Sequence, residues 1–194
     1  MTAAASAGAI WTLGHSTRSL PGLAGLARAH GVTTIADVRT VPRSRHNPQF
    51  NRESLPEALA AHGLRYVHLP GLGGLRRPRP DSPNTAWRNA SFRGYADYMQ
   101  TPEFARNLDA LLELAGHERV AVMCAEAVPW RCHRSLLADA LLARGIRVEH
   151  IMTEARSDTH TMHSWARLDG TRVIYPPEGP ALPQRGHSSR VEKK

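Results

Sequence analysis

The sequence predicts a three-layer α/β fold, with a mainly parallel, roughly five-stranded sheet of the Rossmann-like or flavodoxin-like kind. Three observations predict it. Short apolar runs of strand length alternate with longer stretches whose apolar residues recur at helical spacing. Glycine or proline closes nearly every run. Polar and reactive residues gather at the C-terminal end of each strand-like run, the edge where parallel sheets bind ligands.

The elements follow in order. Ile10–Leu13 reads as a first strand ending at Gly14-His15-Ser16, and Leu20 to His30 as a helix stopped by Gly31. Val32 to Val38 is a second strand running into Asp37 and Arg39. Pro42 to Pro48 is a basic loop, and Asn51 or Ser54 is the expected cap of a helix ending at Gly63. Leu64 to Leu69 is a third strand carrying Tyr66 and His68. A long loop from Gly71 to Ser91 holds Arg76, Arg77, Arg79, Arg88 and Trp87; such length marks a functional lid or a flexible segment. Phe92 to Met99 and Pro102 to Ala115 form a broken helical pair, with Thr101 as cap and Pro102 at the first helical position. The dense apolar run Arg119 to Cys124 is a fourth strand, Glu126 to Arg131 a turn, Cys132 to Ala143 a helix, and Ile146 to Ile151 a fifth strand. Thr153 to Asp169 has no clear period, and Val173 to Tyr175 is expected as an edge strand.

The 194 residues suffice for one well-buried core. Residues 1–9 and 176–194 read as disordered ends, leaving one domain over residues 10–175. The start lacks a signal-peptide pattern and no run spans a membrane, so a cytoplasmic protein without membrane attachment is expected. Two cysteines eight positions apart are no disulfide framework. The formal charge of +8 and its arginine richness favour a nucleotide or nucleic-acid partner; codon usage and solubility produce the same balance.

The segment Cys124-Ala-Glu-Ala-Val-Pro-Trp-Arg-Cys-His-Arg134 is the most informative. A strand delivers Cys124 and Glu126, and a helix starting at Arg131 or Cys132 offers its N–H groups to an anion. Arg131 and Arg134 would add charge-assisted bonds, and Cys132 would ionise more easily in that field. The Cys-to-Arg spacing does not fit a cysteine phosphatase: six residues separate Cys124 from Arg131 and nine separate it from Arg134. Asp37 and Glu126 either act as acid–base groups or pair with Arg39 and Arg134. Cys124 reads equally as a small buried residue. Gly71-Leu-Gly-Gly74 opens no helix and is no dinucleotide fingerprint.

Gly14-His15-Ser16, Asp37-Val38-Arg39, Pro42, Ser44, Phe50, Tyr66 with His68, Leu72-Gly73-Gly74, Phe92 with Tyr95, Cys124-Ala-Glu126 and Cys132-His133-Arg134 together resemble the family catalogued as domain of unknown function 488. The resemblance runs from Ile10 to about Met152, implies the fold and the site map, and assigns no chemistry. The candidate catalytic set is Glu126, Asp37, Cys124, His15 and His68. The candidate substrate- or phosphate-binding set is Ser16, Arg39, Arg43, Tyr66, Gly73, Gly74, Tyr95, Arg131, His133 and Arg134. The expected function is hydrolysis or group transfer on a phosphate-bearing substrate, with carboxylate acid–base catalysis. The alternatives are a non-catalytic nucleic-acid-binding domain and a metal- or haem-dependent redox protein using Cys124, Cys132 and His133.

Overall fold

In the computed structural model, which describes residues 8–177, five parallel strands and one antiparallel strand form a central sheet. The strands are β1 (Ile10–Gly14), β2 (Thr34–Asp37), β3 (Arg65–His68), β4 (Val120–Cys124), β5 (Val148–Thr153) and β6 (Arg156–Thr159). Their order is β3-β2-β4-β1-β5-β6. The sixth strand lies in the stretch that shows no period in the sequence, and it pairs antiparallel to β5 along the sheet edge. A separate hairpin joins β7 (Arg167–Asp169) to β8 (Arg172–Ile174). Residues 173–175 are therefore part of that hairpin and its exit, and add no edge to the main sheet.

The strand pattern explains the layers. Successive side chains face opposite sides of a pleated sheet. Trp11, Leu13, Ile35, Ala121 and Met123 face the helices α1 (Leu20–Ala29) and α2 (Leu55–Ala60). Ile10, Ala36, Val38, Val120, Val122 and Cys124 face α3 (Ala90–Tyr98), α4 (Pro102–His117) and α5 (Arg134–Leu142). Thr101 caps α4 by accepting from the Phe104 amide at 3.2 Å, with Pro102 in the first turn. The expected cap of α2 does not form. Ser54 makes no side-chain cap bond, and the Asn51 side chain instead accepts from the Ser44 amide at 2.7 Å, closing the basic loop. The α5 helix starts at Arg134, later than expected, after a 3-10 turn over Pro129–Arg131.

The long 71–91 loop is tied down. Buried Asp97 accepts from the Arg79 amide, the Ser82 hydroxyl and the Asn84 amide group at 2.6–2.8 Å. Among the described residues, no helix is long and apolar enough to cross a membrane. The expectations of disorder fall mostly on residues 1–7 and 178–194, which lie outside the described residues.

The end of β1 meets the loop after β4 closely. The His15 amide donates to the Cys124 carbonyl and the Ser16 amide to the Ala125 carbonyl, each at 2.9 Å. A Cβ at Gly14 would lie 1.7 Å from the Glu126 carbonyl oxygen, so backbone would have to move. Gly14→Ala is expected to lower stability by about 3 kcal/mol. A urea titration checks this: the midpoint should fall while the slope stays the same.

Candidate functional site

The order β3-β2-β4-β1 leaves a crevice above the ends of β2, β4 and β1, because the chain leaves β2 and β4 in opposite directions along the sheet. A cleft of about 850 Å³ lies there. His15, Ser16, Arg39, Arg43, Gly74, Cys124, Glu126, Arg131, Cys132 and His133 line it.

Two thiols form its floor. Cys124 comes from the end of β4 and Cys132 from the turn before α5, and their sulfurs stand 2.8 Å apart. Both are reduced. His133 Nδ1 lies 3.5 Å from the Cys132 sulfur. The hydrogen bond from Cys124 pulls the Cys132 thiol well below the usual range, helped by His133 and the charge of Arg134 and opposed by burial. Burial, and its donation to Cys132, push the Cys124 thiol up. Of the two sulfurs, Cys132 is the one that ionises more readily.

Arg134 is the positive counterpart. It is 1% exposed, and among the described residues no carboxylate lies within ion-pair distance of it. It donates to the Glu126 carbonyl at 2.6 Å, to the Ala127 carbonyl at 3.4 Å and to Thr12 Oγ1 at 3.4 Å. The expected pairing of Arg134 with the Glu126 carboxylate does not occur; the guanidinium takes that residue's main-chain oxygen. Arg134 is therefore a buried brace for the 125–127 loop and does not reach a ligand in the cleft. The Glu126 side chain itself is exposed at the rim, with no hydrogen bond among the described residues.

Asp37 is likewise a structural anion. It is fully buried and binds Arg39 through Nε at 2.9 Å and Nη2 at 2.6 Å, and it accepts the Arg39 amide and the Tyr66 hydroxyl. Arg39 also donates to the Phe50 carbonyl at 2.8 Å and to His15 Nε2 at 3.1 Å. His15 Nδ1 donates to the Ser16 carbonyl at 2.9 Å, so its Nε2 is the acceptor. Burial, with the nearby Arg39 charge, lowers the His15 pKa and keeps it neutral. Ser16 holds a left-handed φ of 48° at this turn.

Several expected ligand contacts lie elsewhere. His68 caps the Arg39 carbonyl at 2.9 Å, outside the cleft. Tyr66 serves Asp37. Tyr95 is fully buried, with its hydroxyl on the Leu72 carbonyl at 3.0 Å. Gly73 is buried against Thr40; only Gly74 reaches the cleft, where a Cβ would collide with the His133 ring at 2.5 Å. The aromatics are not base-stacking platforms: Phe50 is buried on the His15 ring, and Trp87 packs among Phe92, Trp165 and Tyr175. Arg76 lies over the Tyr98 ring and Arg79 pairs with Asp81.

What remains open is informative. Arg43 and Arg131 are exposed on the cleft, and among the described residues their guanidinium groups bond to no protein atom. Thr40 Oγ1 and His133 Nε2 are buried at its wall without partners. The alternative metal set does not converge: among the described residues, the group of three donors that meets within 4.8 Å is Asp139, His160 and His163. Sequence reasoning missed that second cluster, whose signal was the short spacing of His160 and His163.

Fold and cleft together define an α/β protein with a strand-end cleft built around a thiol pair. Residues 20–141 match the family model described as "Domain of unknown function DUF488", and the chain belongs to that family. Neither the curated proteins nor the solved structures gave a match.

Proposed function

We propose that the cleft is the active site of an enzyme that performs hydrolysis or group transfer on a phosphate-bearing substrate, a nucleotide or a nucleic acid. The observation that carries this reading is Cys132, in hydrogen-bond contact with Cys124 and His133 at the floor of a cleft whose rim holds two guanidinium groups, Arg43 and Arg131, without partners among the described residues. Arginine forks match phosphate oxygens, and each such bond contributes about 1.5–3 kcal/mol. In this reading Cys132 Sγ attacks the electrophilic centre of the bound substrate and the bond to its leaving oxygen breaks. The departing oxygen takes a proton from His133. Glu126 then deprotonates the water, or the acceptor hydroxyl, that displaces Cys132, and exchange with solvent in the open cleft returns that proton to His133.

Fluorescence anisotropy with labelled nucleotides and with single- and double-stranded oligonucleotides, across a salt series, tests the binding step. Affinity should fall steeply with salt and drop about tenfold or more in Arg43→Ala and again in Arg131→Ala. Cys132→Ser should bind as the wild type does and turn nothing over. Absence of binding at low salt would remove the phosphate-bearing substrate from the reading. Binding with no wild-type turnover would leave a non-catalytic nucleic-acid-binding domain.

A further inference from the structure

A second polar centre lies across β1 from the thiol pair. Asp139, on α5, is fully buried. It accepts hydrogen bonds from His160 Nε2 at 2.8 Å, His163 Nδ1 at 2.6 Å and the Tyr175 hydroxyl at 2.7 Å. Among the described residues no lysine or arginine pairs with it. A buried carboxylate without a cation costs several kcal/mol. Two imidazole nitrogens and one carboxylate oxygen meet within 4.8 Å, and His160 and His163 also line a separate cavity of about 280 Å³. The rings of Trp87 and Trp165 pack on His163 at 5.2 and 5.0 Å. Their Nε1 donors are buried without acceptors.

We propose that Asp139, His160 and His163 form a site for a divalent transition-metal ion, zinc by its donor set, with the cavity supplying an open fourth position. Two histidines, one carboxylate and an open position are a known zinc arrangement. Ligand bonds of about 2.0–2.1 Å need donors roughly 3.3 Å apart. The two histidine–Asp139 contacts, at 2.8 and 2.6 Å, therefore have to open by about half an ångström around the ion. On binding, each histidine moves its proton from the metal-facing nitrogen to the other ring nitrogen. For His160 that places N–H on Nδ1, facing His150 Nε2 at 3.0 Å. His150 Nδ1 in turn meets Thr12 Oγ1 at 2.7 Å. Such outer partners fix the tautomer of a ligating histidine. The Tyr175 hydroxyl donates to Asp139 Oδ2 at 2.7 Å and orients the carboxylate.

The test uses the full chain, dialysed against chelator and titrated with zinc chloride by calorimetry, then with cobalt chloride by absorption. One equivalent of zinc should bind, and the cobalt form should show ligand-field bands without thiolate charge transfer. Asp139→Asn and His163→Gln should each weaken zinc binding at least a hundredfold, and His150→Gln by ten- to a hundredfold. His163→Gln, at the cavity wall, covers the case in which Asp139→Asn fails to fold. Cys124→Ser and Cys132→Ser should leave the stoichiometry unchanged. No zinc binding, or binding that survives His163→Gln and vanishes in the cysteine variants, would overturn the assignment.

Discussion

Arg39→Met is expected to lower folding stability by about 3–5 kcal/mol. Arg39 and Asp37 are 9% and 0% exposed, and the pair is bidentate. Removing the guanidinium leaves the carboxylate buried, with only the Arg39 amide and the Tyr66 hydroxyl for company. The Phe50 carbonyl and His15 Nε2 lose their donor in the same step. Breaking one half of a buried pair costs more than the pair contributes, because the orphaned charge keeps its desolvation penalty. The double variant Asp37→Leu with Arg39→Met should therefore recover part of the loss. Urea unfolding of the three variants measures it. A loss below about 1 kcal/mol for Arg39→Met would mean that the guanidinium is not committed to Asp37. It would then be free to bind ligand from its place on the cleft wall.

Sequence and structure agree best where the signal is local. The run Val120–Cys124 is dense enough to be a buried strand and nothing else, and Asp37 and Arg39 are two residues apart at a strand end. Of the polar residues gathered at strand ends, His15, Arg39, Cys124 and Glu126 line the cleft, while Asp37 and His68 do not. The sequence could not show which of those residues face into it. Tyr95 and Arg134 carry polar tips whether they point at a ligand or at a buried carbonyl, and the tertiary contacts alone decide. The sixth strand, Arg156–Thr159, reads as polar because it lies at the sheet edge and is half exposed. The Asp139 centre draws on α5, the segment after β6 and the segment after β8, so no local spacing spans it. Its histidines lie in the stretch without periodicity, in the irregular segment that follows β6.

Iodoacetamide should alkylate Cys132 at a rate that barely changes between pH 8 and pH 6. An ordinary cysteine, with a pKa of about 8.5, slows about tenfold for each pH unit below that value, because only the thiolate reacts. Over two units the contrast is about a hundredfold in relative rate. The slope is the diagnostic, since a strongly stabilised thiolate is also a weaker nucleophile and its absolute rate is not high. The slope also separates the causes of ionisation. Cys124→Ala removes the 2.8 Å donor, the largest influence on Cys132, while Arg134 and His133 remain. The Cys132 pKa then rises and the profile regains its pH dependence. Cys124→Ser restores a hydroxyl donor in the same place and should flatten the profile again. Peptide mass spectrometry assigns the label, with Cys132→Ser as the blank. A tenfold fall per unit at wild-type Cys132 would mean that its thiol is protonated across this range, and Cys132 would lose the role of nucleophile in the cleft.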